Sequence, residues 1–232
     1  LMPDTFLRDL HSTLEHCISE FDSIHSLFCQ NPETDFSRKR KITFPDTCRF
    51  LIELQSKSLP NEVMDFFGHT KAAPTASAYI QQQQKILTDG WAFLFHLFVS
   101  ETSHLQDSLY RGYRLLACDG SDVNISRNPT DDETFIREGQ KGYNMIHINA
   151  LYDLLNHTYC DQLVQGKKKL HERKALNTMD DRYHGAPAIF LADRGYESFN
   201  VFAHLISKEQ KFVIRMKDIN SNGILSAYAL PD

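Results

Sequence analysis

Ala188-Ile-Phe-Leu-Ala-Asp193 decides how this chain folds. Five consecutive apolar residues between a proline and an aspartate read as a strand buried on both faces. Tyr113-Arg-Leu-Leu-Ala-Cys-Asp119-Gly120 has the same form, a strand running into an aspartate, with Gly120 allowing a sharp bend. Residues 144–152 carry Ile and Leu at strand spacing, and residues 157–164 read as a further strand. The turn between them, 153–156, is short enough to demand an antiparallel pair. Residues 168–183 read as a helix with Leu170, Ala175, Leu176 and Met179 inward. Residues 198–208 read as a helix capped by Ser198, and 211–216 as a last strand. The order from residue 113 is β-β-β-α-β-α-β.

Helical crossovers imply parallel neighbours and right-handed connections. The economical arrangement sets the first and fourth strands side by side, which is the ribonuclease-H-like fold. Asp119 and Asp193, far apart in sequence, then become neighbours at the carboxyl ends of adjacent strands, where open α/β sheets hold their sites.

Upstream the period is helical. Leu7, Leu10, Leu14, Ile18, Phe21 and Ile24 form one apolar stripe, with Asp4 as its cap. Thr43 and Pro45 open a second helix. Residues 59–67, ended by Gly68, then 76–87 and 89–103 follow, with Phe93, Phe95, Leu97 and Phe98 as a core stripe. These predict a helical bundle over 1–110, read as the DNA-binding region, and a mixed-sheet catalytic domain over 111–232.

Composition narrows the function. The chain has 232 residues, 41% hydrophobic and 24% charged, as in an ordinary globular protein. No apolar run approaches the ~18 residues that cross a bilayer, and no secretory signal precedes the first helix, so a cytoplasmic protein is expected. The five cysteines form no CxxC pair and the histidines no HExxH pattern, so a structural or catalytic zinc is not indicated. The net charge is −5, but it is unevenly spread. Residues 119–165 hold eight acidic and three basic residues, and basic segments flank them. Clustered aspartates between basic flanks fit a metal site beside polyanion contacts. Two carboxylates at neighbouring strand ends repel unless a cation lies between them, and oxygen donors select Mg²⁺ or Mn²⁺. Asp119 and Asp193 are the candidate catalytic residues and metal ligands. Asp122, three residues on, competes with Asp119.

Ala117-Cys-Asp-Gly-Ser121 resembles the first-aspartate motif of DDE transposases from bacterial insertion sequences, and Phe190-Leu-Ala-Asp-Arg-Gly-Tyr-Glu-Ser-Phe199 resembles their second. The insertion-sequence-4 type is the nearest in pattern, and the upstream helices with Phe36-Ser-Arg-Lys-Arg-Lys-Ile-Thr-Phe44 are similar to its N-terminal region. The resemblance implies a DNA transposase whose two-metal site, of Mg²⁺ or Mn²⁺, cuts and joins double-stranded transposon-end and target DNA. It implies Asp119 and Asp193 as metal ligands, Arg194 and Tyr196 as supports of the site or DNA contacts, and a homodimer on paired ends. The family's third carboxylate, a Glu in a Tyr-Arg-Glu-Lys signature, has no counterpart in this sequence. The chain is therefore expected to be an N-terminal fragment, truncated before or within the family's inserted β domain and inactive alone. A DNA-binding remnant without catalysis and another ribonuclease-H-like nuclease are the alternatives.

Arg38, Lys39, Arg40 and Lys41 form the densest basic run, just before a helix, where phosphate contacts are easily made. Lys167, Lys168 and Lys169, with Arg173, form a second patch. Residues 81–84, all glutamine and expected to form an exposed helix face, are a weaker candidate for reading adenine. Replacing Arg38, Lys39 and Arg40 with Ala should flatten the salt dependence of DNA binding by about 0.9 per lost phosphate contact. A slope unchanged in a titration of binding against salt would make the run a solvated loop.

Overall fold

The computed structural model describes residues 4–38, 40–105, 108–166 and 171–227. The chain divides into two compact units, residues 1–104 and 105–232. No described helix is long and apolar enough to cross a membrane.

The first unit is helical: α1 (Asp4–Ser23), α2 (Phe44–Glu53), α3 (Leu59–Phe67), α4 (Ala76–Gln83) and α5 (Thr88–Glu101). Thr43 and Asp46 close a reciprocal capping box at the start of α2, with Pro45 in its first turn. Thr75 caps α4 through the Ala78 N–H. Cys17, Ile18 and Phe21 of α1 pack with Phe44, Cys48, Ile86 and Leu94 in one core, and Ile42, Phe50, Val63 and Tyr79 form a second. Gly90 lets α5 approach α1, because a Cβ there would meet the Phe21 ring at 2.9 Å. Two stripe readings shift. Leu7 is 52% exposed, so the buried face of α1 begins further along. On α5, Leu94 is the buried residue, with Phe93, Leu97 and Phe98 packed around the core and Phe95 outside it.

The second unit is a mixed six-stranded sheet with two helices. It contains β1 (Arg114–Ile125), β2 (Phe135–Ile136), β3 (Tyr143–Asp153), β4 (Thr158–Gly166), α6 (Glu172–Arg182), β5 (Ala188–Ala192), α7 (Phe199–Ser207) and β6 (Lys211–Ile214). The strands run in the order β2-β3-β1-β5-β6, with β4 also on β3. β3 pairs antiparallel with β1, β2 and β4, while β5 pairs parallel with β1 and β6. The hairpin joining β3 to β4 turns on Asp153, whose buried carboxylate accepts the Leu155 and Asn156 N–H groups and lies 3.7 Å from Arg114 Nη1. Leu116, Leu151 and Phe190 of the sheet pack with Leu176 and Met179 of α6 and Val201 and Leu205 of α7.

The structure departs from the sequence reading in four places. A short strand, β2, is added between the first two expected strands; it makes only two pairings with β3, too few for a sequence period to register. β1 does not bend at Gly120. It continues to Ile125, because β3 supplies a partner along its whole outer half, from Asp119↔Ala150 to Ile125↔Asn144. The helix before β5 begins at Glu172, and Leu170 lies outside the described residues. Ser198 stands at the cap of α7 without a side-chain capping bond.

Glu197 fastens the segment that leaves β6. Its carboxylate accepts the Lys217 N–H at 2.6 Å and the Ile224 N–H. The Lys217 bond, aided by that from Ile224, holds its carboxyl below the ordinary value of 4.5. A carboxyl lowered in the folded state stabilises above its unfolded value, and that contribution is lost as pH falls through the folded one. Glu197→Gln should therefore lower the melting temperature at pH 7, and the gap to wild type should close below about pH 4.5. Melting curves from pH 7 to 3 check this; a gap independent of pH would refute it.

Candidate active site

β1 and β5 carry the site. Their parallel register runs from Arg114↔Ala188 to Cys118↔Ala192, so Asp119 and Asp193 are the next residues on two adjacent strands. Neighbouring strands lie about 4.8 Å apart. Both aspartates are exposed. Asp119 stays in the sheet, and its Oδ1 accepts the Gly120 N–H at 2.8 Å. Asp193 leaves the sheet into a 3-10 turn, Arg194–Tyr196, which it caps by accepting the Gly195 N–H at 2.8 Å.

Two residues that the sequence reading did not single out complete the surroundings. Glu172 opens α6, whose N-terminus is capped by His171 through the Lys174 N–H. A Cβ at Gly120 would lie 3.3 Å from Glu172 Oε1, and a Cβ at Gly195 would lie 3.3 Å from Oε2. The Glu172 carboxylate therefore spans from β1 to the turn after β5, above the glycines that follow the two aspartates. His147 of β3 stands opposite Asp122 in the ladder, and its Nδ1 is 2.7 Å from Asp122 Oδ1. It is 4% exposed, and its Nε2 has no hydrogen bond and points to Glu172 Oε1 at 3.5 Å. The role of Gly120 is thus steric: it makes room for the His147 ring rather than a bend. Glu172 stands in the first turn only because α6 begins there, four residues after the helix start expected from the sequence. His147 needed the β1–β3 register, which no local pattern carries.

Beneath this surface lie Cys118 and Tyr196. Burial pushes the Cys118 thiol up to about 12, and Asp119, Glu172 and Asp193 all push in the same direction. Burial, the Cys118 thiol and then Glu172 and Asp119 raise Tyr196 as well. Asp119 and Glu172 therefore act on both members of this buried pair, Asp193 on Cys118, and Cys118 is a protonated core residue rather than a nucleophile. Tyr196 is 1% exposed, so it packs under the site; the expected DNA contact is corrected, since burial leaves its ring no surface to offer.

Arg194 is exposed directly after Asp193. Arg173 is half-buried and donates from Nε to the Gly195 carbonyl at 3.0 Å, which braces the turn carrying Asp193. Lys167, Lys168 and Lys169 lie outside the described residues, as does Lys39. In the helical unit, Arg38, Arg40 and Lys41 are exposed. Arg40 and Lys41 border a cleft of about 700 Å³ together with Gln81 and Gln82.

Among the described residues, one trio of His, Cys, Asp or Glu has donor atoms all within 4.8 Å of one another: Asp180, Asp181 and His204. Lys208 Nζ also enters that group, 2.6 Å from Asp181 and 3.8 Å from Asp180, so a lysine already balances the acids. Asp119, Asp193 and Glu172 are spaced more widely.

Residues 110–224 match the family model of the transposase DDE domain. No curated protein matches the chain.

Gly120→Ala would place a Cβ 2.8 Å from His147 Cε1 and closer still to Nε2. The buried imidazole has to move, at a cost of about 1–3 kcal/mol. Urea denaturation should show that loss; unchanged stability would mean the ring has room.

Proposed function

We propose that this chain is the DNA-binding and catalytic part of an insertion-sequence transposase of the insertion-sequence-4 type, with a ribonuclease-H-like catalytic sheet. It cuts and joins transposon-end DNA by phosphoryl transfer, with Asp119 and Asp193 holding Mg²⁺ or Mn²⁺. The observation that carries this reading is the register Cys118↔Ala192, which makes the two aspartates neighbours within the stretch that matches the transposase DDE domain. Proteins of that kind act on DNA in solution, and the proposed setting is the bacterial cytoplasm, on the nucleoid.

The donor set fits a hard divalent cation. Both candidate ligands are exposed carboxylates, and no sulfur faces them, since Cys118 is 3% exposed and protonated. When bound, such ions activate water and stabilise the attacking and leaving oxygens of an in-line transfer. The protein's own contribution is positioning. The ladder with β3 fixes Asp119, and the Gly195 N–H and Arg173 fix the turn that carries Asp193. Arg194 offers a charge to a phosphate beside the aspartates. Arg40 and Lys41 offer further phosphate contacts along the cleft shared with Gln81 and Gln82. Paired transposon ends call for two copies, so a homodimer on DNA belongs to the proposal.

The test is nicking of a transposon-end duplex in Mn²⁺ by the protein from its complete reading frame. Asp119→Asn and Asp193→Asn should each abolish nicking while leaving folding and gel-shift binding intact. Asp122→Asn should act far less, because its partner is His147 and an amide oxygen can still accept from it. Full activity in Asp193→Asn would refute the mechanism. Loss at Asp122 with activity kept at Asp119 would show that Asp122 is the ligand.

A further inference from the structure

We infer that Asp180, Asp181 and His204 form a binding site for a divalent transition-metal ion of the Zn²⁺ class, which ties α6 to α7. The site stands at the end of α6 opposite Glu172. The inference does not depend on the transposase reading.

The donors already have the spacing of a coordination shell. His204 Nε2 stands 3.0 Å from Asp180 Oδ2 and 3.5 Å from Asp181 Oδ1, and the three donors lie within 4.8 Å of one another. Ligand atoms on a tetrahedral ion with bonds of about 2.0–2.1 Å lie about 3.3–3.4 Å apart. Two carboxylates and one imidazole suit Zn²⁺ better than Mg²⁺, because a hard ion prefers oxygen at every position. Such a set needs neither the paired thiols nor the HExxH pattern that the sequence lacks. The Asp181 side chain is 56% exposed and that of His204 22%, so an ion can enter and water can fill the fourth position.

Asp180 supplies the second, independent observation. It is fully buried, and neither of its carboxylate oxygens makes a hydrogen bond. The facing His204 Nε2 makes none either. Buried polar groups nearly always have hydrogen-bond partners, and a buried carboxylate is costly without them. Its place adds to that cost, because Asp180 and Asp181 stand in the last turn of α6, where the helix dipole disfavours acids. The ordinary account is a network of ion pairs. That account serves Asp181, which Lys208 Nζ approaches to 2.6 Å, but the same ammonium is 3.8 Å from Asp180 Oδ2. The Asp180–His204 pair requires a charged imidazole, and no hydrogen bond joins the two. A dication between the three donors gives each of them a bond. Lys208, at the end of α7 and 35% exposed, can then turn to solvent.

The experiment titrates Zn²⁺ by calorimetry into metal-stripped protein in excess Mg²⁺, which competes for sites made of oxygen alone. Melting temperatures are measured with and without Zn²⁺. Wild type should bind Zn²⁺ and melt at a higher temperature with it. Asp181→Asn and His204→Gln should each weaken Zn²⁺ binding about tenfold or more, the scale on which metal sites lose affinity even when only a supporting partner is removed. Lys208→Gln separates a metal site from a network of ion pairs. It should lower the melting temperature without metal and yet tighten Zn²⁺ severalfold, because a competing positive charge is gone. The inference is overturned if Zn²⁺ does not bind, or if Asp181→Asn and His204→Gln both bind it as wild type does. A Lys208→Gln protein that loses stability without gaining affinity for Zn²⁺ would also overturn it, and the four residues would then be ion pairs alone. None of these outcomes bears on Asp119 or Asp193.

Discussion

The parallel pairing of β1 with β5 is the constraint on which the catalytic unit depends. Leu116 and Phe190 are direct partners in that ladder, and both are fully buried. The same register, three residues on, ends at Asp119 and Asp193. Because side chains alternate along a strand, a slip of one residue would send Leu116 to the opposite face and separate the aspartates in the same step. Core and site are thus one choice of register. The crossover through α6 enforces it, since parallel neighbours need a long connection and α6 covers the sheet core with Ala175, Leu176 and Met179.

Helix α6 serves two tasks at its two ends. Its first turn presents Glu172 and Arg173 to the site, where an acid and the helix N-terminus suit each other. Its last turn bears Asp180 and Asp181, acids at the end where the helix dipole disfavours them. Burial raises the Asp180 carboxyl, and Lys208 and His204 from beyond and within α7 offset that effect. Lys208 draws the more exposed Asp181 down. This cluster locks α7 to α6 and so holds Val201 and Leu205 against the strands.

Much of the fold was legible in the sequence because burial and period coincide there. The run Ala188–Ala192 is apolar at every position, and it forms a strand flanked by strands on both sides. Thr43, Pro45 and Gly68 mark helix ends by local backbone chemistry, and the structure puts boundaries at them. What was not legible depends on partners distant in the chain. The outer half of β1, Asp119–Ile125, is polar and reads as a loop, yet β3 pairs with it throughout. Gly120 invites a bend locally, and only the position of His147 explains it. The two aspartates could be inferred from strand ends, whereas Glu172 could not, because its significance lies in what stands across from it rather than in its neighbours along the helix.

Glu197 lies within the second motif, four residues after Asp193, is acidic, and is 4% exposed. Its carboxylate is bound to the backbone at Lys217 and Ile224, on the segment past β6. The chain's exit from the sheet is therefore tied to the turn that carries Asp193. An alanine scan for lost activity would score Glu197 beside the proposed ligands, Asp119 and Asp193, and counting acids by phenotype would enrol it as one. Its fingerprint would differ, because the loss would travel with protease sensitivity after β6 and not with affinity for a divalent ion. In a site built on carboxylates, a glutamate that acts as a clasp for the main chain is the residue most easily mistaken for a catalyst.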